Sequence, residues 1–163
     1  MLDIEQIKLK IINVPDFPKE GVNFKDISEL LKSSDFTEII RMMGNLVEKP
    51  KYWVGIESRG FIFASALSVM FGGGILLCRK KNKLPPPFIE KNYQLEYGTD
   101  SLSVKPGEGR VIIVDDVIAT GGTIRVTEEL LKEAGYEVID KLSLINLKNL
   151  NKINDIKSLI TYE

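Results

Sequence analysis

A chain of 163 residues fits one domain and is long enough to bury a substantial core. Hydrophobic residues at 44% and charged residues at 28% exclude a disordered chain, and a net charge of −1 provides no bulk basic field for nucleic acid. The absence of histidine and the single cysteine, Cys78, exclude imidazole acid–base chemistry, histidine metal ligands and an intrachain disulfide.

The start, Met1-Leu2-Asp3-Ile4-Glu5-Gln6, lacks the basic and apolar regions of a signal peptide. No stretch reaches the roughly 18 apolar residues of a membrane span. A cytoplasmic protein without membrane or nucleic-acid partners is the expectation.

Asp3 can cap a first helix, and Ile4, Ile7, Ile11 and Val14 fall on one helical face before Pro15. Residues 16–27 read as an irregular loop carrying Phe17 and Phe24, serving either function or attachment to the core. Ser34 or Asp35 caps a second helix, with Phe36, Ile39, Ile40, Met43, Leu46 and Val47 at helical spacing and Pro50 as its stop. Residues 52–56 read as a buried strand. It ends in Glu57-Ser58-Arg59-Gly60, and a helix over 61 to about 70 follows. Gly72-Gly73-Gly74 turns the chain into a second buried strand, 75–78, ending at Arg79.

Residues 80 to about 103 break this rhythm. Lys80, Lys81 and Lys83 precede Leu84-Pro85-Pro86-Pro87, and 90–97 has the makings of a short hairpin. A long insertion within a compact domain points to a functional loop. Next comes Val111-Ile112-Ile113-Val114, four apolar residues without alternation, which predict a strand buried on both faces. Asp115 and Asp116 follow, then Ala119-Thr120-Gly121-Gly122-Thr123, then a helix over 124–134 closed by Gly135. A strand over 137–146, a weak helix and a last strand over 159–162 complete the chain. Strands alternating with helices predict an α/β fold, a mainly parallel twisted sheet with helices on both faces, in one domain spanning 1–163. Ligands bind such sheets at the carboxyl ends of the strands. Three strand ends therefore stand out: Glu57-Ser58-Arg59-Gly60, Arg79 with its basic loop, and Asp115-Asp116 with the glycine turn.

Glycines at 121 and 122 let backbone N–H groups approach an anion, the following helix adds its dipole, and Thr120 and Thr123 add hydroxyls. The turn is neither a Walker A loop nor a dinucleotide fingerprint, because no Gly-Lys-Ser/Thr follows and two acids precede it. The plain alternative is an ordinary strand–helix turn with threonine capping. Asp115 and Asp116 point in alternate directions. Beside a phosphate loop they suit hydroxyls of a ribose diol with Mg²⁺, or else mere capping and solvation. Ser58 and Arg59 open a helix, where the planar guanidinium suits a diphosphate; alone, such an Arg forms a surface ion pair. Arg79 and Lys83 either help neutralise a diphosphate or face solvent. Glu96, between Leu95 and Tyr97, is a carboxylate in an apolar setting that favours proton transfer, or else an exposed strand residue.

The run from Val111 to Thr123 resembles the phosphoribosyl diphosphate (PRPP) signature of the type I phosphoribosyltransferase family. Phe17-Pro-Lys-Glu-Gly-Val-Asn-Phe-Lys-Asp-Ile-Ser28, Gly55-Ile-Glu-Ser-Arg-Gly-Phe61, Arg79-Lys-Lys-Asn-Lys-Leu-Pro85, Tyr93-Gln-Leu-Glu-Tyr-Gly98 and the closing Tyr162-Glu163 are similar to its adenine-specific branch, the adenine phosphoribosyltransferases. The resemblance implies the family's fold, with a small hood formed by about 1–30 and the C-terminal tail and a flexible loop at about 80–103. It implies a reaction in which adenine N9 attacks C1 of PRPP, giving AMP and diphosphate in purine salvage. Mg²⁺ would arrive on PRPP, near Asp115 and Asp116 and without dedicated protein ligands, and the enzyme would be a homodimer.

By motif position, Ala119, Thr120, Gly121, Gly122 and Thr123 would hold the 5′-phosphate, and Asp115 and Asp116 would face the ribose hydroxyls. Ser58 and Arg59 would bind diphosphate, helped by Arg79 and Lys83. Asn23, Phe24 and Lys25 would form the base site. Glu96 would handle the adenine proton, with Tyr97 on the closing loop. The chain departs from the family pattern at Pro86, where a Gly or polar residue is expected, at Lys25, where Arg is expected, and at Asn23, where an apolar residue is expected. Transfer to hypoxanthine, guanine or xanthine is the alternative; a non-catalytic PRPP-sensing regulator is disfavoured by Glu96, the loop cations and the absence of a basic face.

Overall fold

The computed structural model describes residues 1–95 and 98–163, so Glu96 and Tyr97 lie outside the described residues. Val111, Ile112, Ile113 and Val114 have no exposed surface and form the middle of β7 (Gly109–Ile118). Alternate residues of this run enter two different cores. Ile112 and Val114 pack with Trp53, Phe63, Leu67, Ile39 and Met43; Val111 and Ile113 pack with Val54, Ile56, Cys78, Leu130 and Leu131. A strand covered on both faces needs no polar positions, which is why the run shows no alternation.

β7 lies fifth in a seven-stranded sheet whose order is β5-β6-β4-β3-β7-β8-β9. The members are β3 (Tyr52–Ile56), β4 (Gly74–Lys80), β5 (Ile89–Leu95), β6 (Gly98–Val104), β8 (Tyr136–Leu147) and β9 (Ile156–Tyr162). β4, β3, β7, β8 and β9 run parallel, and the β5–β6 hairpin joins β4 antiparallel. α4 (Arg59–Phe71) buries Phe63, Ala64 and Leu67 on one face of the sheet; α5 (Gly122–Ala134) buries Ile124, Leu130 and Leu131 on the other. The α/β reading with helices on both faces holds.

The N-terminal part differs from the sequence reading. The Asp3 cap is present as a capping box with Gln6, but α1 (Ile4–Lys8) is short. Its end tightens through bonds from Lys10 N to Ile7 O and from Ile11 N to Lys8 O. Ile12–Val14 is instead strand β1, paired antiparallel with β2 (Phe24–Asp26). Helical spacing misled here because the partner of β1 comes from beyond a loop, and Ile12 is left largely exposed. A short helix α2 (Ser28–Lys32) precedes α3 (Phe36–Gly44), and Leu46 and Val47 fall beyond the latter. The Asp35 side chain does not cap α3; the Ser33 hydroxyl accepts from Asp35 N at 3.0 Å.

β4 is not buried on both faces. Cys78 and Leu76 enter the α5-side core, whereas Ile75 and Leu77 are exposed on the opposite face. The hairpin expected within 90–97 is not there: Ile89–Leu95 is one strand, β5, and its partner is β6, so the hairpin is larger and centred further along the chain. The weak tail helix reduces to a 3₁₀ turn, Lys148–Leu150.

Lys141 on β8 is buried, yet it carries two ion pairs, to Glu128 Oε2 of α5 at 2.9 Å and to Asp155 Oδ2 before β9 at 2.7 Å. Burial opposes its charge, but the hydrogen bonds from Asp155 and Glu128 outweigh that, and its pKa lies above the ordinary lysine value. The Lys141 hydrogen bond holds Asp155 below its usual range. Burial pushes Glu128 up, and the Lys141 and Lys132 contacts bring it below its usual value. Carboxyls lowered in the folded state add stability that is present at neutral pH and is lost as pH falls through their folded pKa values. Replacing Lys141 with Met is expected to cost about 1–2 kcal/mol at pH 7, below a fully buried pair because Asp155 is largely exposed. That difference should shrink below about pH 4; urea midpoints for both proteins from pH 3 to 7 measure it.

Candidate active site

β3 and β7 pair in parallel, from Tyr52↔Val111 to Gly55↔Val114. Their carboxyl ends therefore lie side by side, and each delivers its polar residues to one cleft. The start of α4 fits against β7 because residue 60 is glycine: a Cβ there would sit 2.8 Å from the Val114 carbonyl oxygen and 3.2 Å from Asp115 Oδ1. Three cavities of about 120, 260 and 550 Å³ meet around residues 115–123.

The smallest lies at the head of α5, lined by Asp115, Ala119, Thr120, Gly121, Gly122 and Thr123 among others. Gly121 takes φ 88°, and a side chain there would collide with Ile153. No side chain caps α5, so the N–H groups of its first turn are available to an anion, aided by a 13-residue helix dipole.

The 260 Å³ cavity lies between the two strand ends and is lined by Ser58, Arg59, Asp115, Asp116 and Thr123, with Lys80 and Tyr93 opposite. Asp115 Oδ1 accepts from the N–H of Asp116 at 2.9 Å. Poor hydration and the neighbouring Asp116 charge push the Asp115 carboxyl well above its usual range. Asp116 is 4% exposed. Its Oδ2 lies 2.7 Å from Arg59 Nε, an ion pair whose N–H is not aimed at the oxygen, so Oδ2 is left buried without a hydrogen bond. The same guanidinium stacks over the Phe24 ring at 4.7 Å. Arg59 thus links the acid pair to β2. Asp26, on the same strand, accepts from the Ser28 hydroxyl and N–H at 2.6 and 2.9 Å; those bonds, ahead of the Arg59 charge, hold its carboxyl below the usual range.

The largest cavity lies beneath β2, lined by Asn23, Lys25, Ala119, Thr120, Leu147 and Tyr162 among others. Phe24 packs edge-on against Phe17 at 5.1 Å, and Lys25 Nζ lies 4.3 Å from the centre of the Tyr162 ring. The N-terminal strand pair and the chain's last strand thus enclose one slot.

The structure brings together Ser58, Arg59, Asp115, Asp116, residues 119–123 and, across the slot, Asn23, Phe24 and Lys25. Arg79 does not line the 260 Å³ cavity. Its Nε donates to Glu57 Oε1 at 3.1 Å, and a terminal nitrogen lies 3.5 Å from the Lys83 carbonyl oxygen. Lys83 is exposed on the loop beyond. Lys80, set beside Asp100 at 3.4 Å, lines the cavity in their place. Sequence reasoning saw Lys80 only as part of a charge run; strand alternation from buried Cys78 and inclusion of residue 80 in β4 would have singled it out. Tyr93 was also missed. Burial raises its phenol pKa against a hydrogen bond with Thr123, and its period-two relation to Lys91, which pairs with Glu133 of α5, marks the face it uses.

Among the described residues no three acidic or cysteine side chains converge on one point. The Asp115–Asp116 pair nevertheless fits a hard cation that brings its own ligands: two carboxylates, one with an oxygen lacking a hydrogen bond, one raised in pKa by burial and by its neighbour's charge.

Comparison with known proteins agrees with this geometry. Residues 26–157 match the Phosphoribosyl transferase domain family. The adenine phosphoribosyltransferase of Hydrogenovibrio crunogenus is 44% identical over 161 residues, covering 92% of each chain. The crystal structure of adenine phosphoribosyltransferase from Thermoanaerobacter pseudethanolicus superposes with a TM-score of 0.90 at 39% identity, covering 97% of this chain and 99% of that one. The enzyme from Saccharomyces cerevisiae, complexed with an iminoaltritol bisphosphate and adenine, superposes with a TM-score of 0.83 at 31% identity over 90% and 89% of the two chains. Matched by the family model over most of its length and 44% identical to a curated adenine phosphoribosyltransferase over 92% of the chain, this protein belongs to the phosphoribosyltransferase family and, within it, to the adenine phosphoribosyltransferases.

Proposed function

We propose that the whole chain, 1–163, is one phosphoribosyltransferase domain that transfers the 5-phosphoribosyl group from PRPP to adenine, giving AMP and diphosphate. The observation that carries this is the convergence of the glycine turn, the acid pair and Arg59 at two adjacent strand ends beneath the Phe24 slot. The adenine bound by the yeast relative supports the choice of base.

The N–H groups and hydroxyls of residues 119–123 bind the 5′-phosphate at the head of α5. Asp115 and Asp116 accept from the ribose hydroxyls. Ser58 and Arg59 take the diphosphate. Arg59 is already poised between Asp116 and Phe24, so a side-chain rotation exchanges a carboxylate for an incoming diphosphate. Lys80 from the cavity wall, Arg79 beside it on β4 and Lys83 from the loop add positive charge. Magnesium carried on PRPP would sit against Asp115 and Asp116, where it supplies charge neutralisation for the diphosphate. Phe24 stacks on the base, Asn23 and Lys25 read its edge, and Glu96 takes the proton from N9 as the C1–N9 bond forms and the C1–O bond to diphosphate breaks. Tyr97 closes over the cleft. Cationic stabilisation of the leaving group and exclusion of water supply the catalysis, so a chain without histidine meets its requirements.

The exposed apolar face formed by Ile62 and Val69 of α4 with Ile75 and Leu77 of β4 is covered by a second copy of the chain, making a homodimer. Among the described residues no helix is long and apolar enough to cross a membrane. A cytoplasmic location is supported by phosphorylated substrates that do not cross membranes unaided.

A competition assay with PRPP, magnesium and equal adenine, hypoxanthine, guanine and xanthine should yield AMP. Formation of IMP, GMP or XMP in its place would assign another base. Arg59→Ala should lower kcat/KM for PRPP by about 10²-fold, since it removes a leaving-group cation and strands Asp116, and should weaken diphosphate inhibition in parallel. The raised pKa of Asp115 predicts an acidic limb: the carboxylate is the active form, so kcat/KM for PRPP should fall as pH falls through that raised value. Asp115→Asn should lower the plateau and abolish that limb, which a pH profile of both proteins checks.

A further inference from the structure

The glycine turn is held from behind by a side chain that touches none of the three cavities. Asn151, 7% exposed, follows the 3₁₀ turn after β8. Its Nδ2 donates to the carbonyl oxygen of Ala119 at 2.9 Å, to Asn146 Oδ1 at 2.9 Å and to the Leu147 carbonyl at 3.1 Å, two N–H groups shared among three oxygens. Its Oδ1 accepts from Ile153 N at 3.1 Å. Ile153 in turn packs its Cδ1 where a side chain on Gly121 would go, and Lys148 Nζ donates to the Ile153 carbonyl at 2.9 Å. The segment is anchored further on by the Lys141–Asp155 pair.

This bracket has a specific electrostatic consequence. A peptide group is planar and trans, so its C=O and the next N–H point in opposite directions. With the Ala119 carbonyl tied to Asn151, that oxygen is withheld from an anion in the turn, and the N–H of Thr120 is turned the opposite way. Without the tie, a flipped peptide would set a carbonyl dipole against the phosphate. We propose that Asn151 is a positioning residue that orients the Ala119–Thr120 peptide for 5′-phosphate binding, with Ile153 buttressing Gly121. This inference rests on reading residues 119–123 as the 5′-phosphate site.

The test uses the full-length protein and two probes that read different halves of the cleft: ribose 5-phosphate for the glycine turn and inorganic diphosphate for the Ser58–Arg59 turn. Asn151→Asp keeps the shape and the acceptor for Ile153 N–H, but sets a carboxylate against three oxygens. The dissociation constant for ribose 5-phosphate and the KM for PRPP should each rise about tenfold, while the diphosphate constant and the KM for adenine stay within about twofold. Ile153→Ala, which leaves every polar contact in place, should move the same two values about two- to fivefold and serves if the first variant does not fold. Unchanged ribose 5-phosphate affinity in the variants, or an equal loss for all four ligands, overturns the proposal. Failure of the wild-type protein to bind ribose 5-phosphate overturns the reading of the turn itself, and the proposal with it.

Discussion

Everything in the cleft depends on the parallel pairing of β3 with β7 and on the absence of a side chain at Gly60. Parallel strands end on the same edge of a sheet, so the residues following each strand are delivered to one place. Gly60 then lets α4 begin in contact with the Val114 carbonyl, which draws Arg59 to within ion-pair distance of Asp116. Neither half of the cleft is a site alone: the glycine turn would be an anion hole, and Arg59 a surface cation.

The charge balance of that cleft explains its chemistry. Burying two adjacent carboxylates beside one guanidinium is costly, and Asp115, poorly hydrated and next to the Asp116 charge, holds its proton to higher pH. Under the proposed function, ribose hydroxyls and a substrate-borne cation would relieve that cost and release Arg59 to the leaving group. Glu57 performs a similar task at the rim, accepting from Arg79 Nε and from the N–H of Lys80 and so fixing where the β4 cations stand. Buried polar groups are costly unless partnered, which makes such arrangements sensitive to the ligand that completes them.

The second constraint lies behind the turn. β8 and β9 add no group to the small phosphate cavity, yet the connection between them braces it through Asn151 and Ile153 and is itself tied to α5 through Lys141 and Glu128. Helix, turn and connection form one mechanical unit. The other side of the cleft is built from the short antiparallel pair β1 and β2 and from β9, the edge strand of the main sheet.

Much of this was legible from residue order. The unbroken apolar run at 111–114 and the glycine after 134 determined a doubly covered strand and a helix with a defined end, and the acids followed by a glycine turn pointed to the cleft at that helix's head. These are local signals, set by period, backbone freedom and the helix dipole. The strand at Ile12–Val14, the exposure of Ile75 and Leu77, the substitution of Lys80 for Arg79 in the cavity and the support from Asn151 were decided only by the tertiary structure. Each depends on a partner distant in sequence: β2 for β1, the α5-side core for the face that β4 buries, the hairpin for Lys80, the turn at Ala119 for Asn151. Periodicity records which face a residue presents, but what meets that face is settled by how the strands are ordered in the sheet.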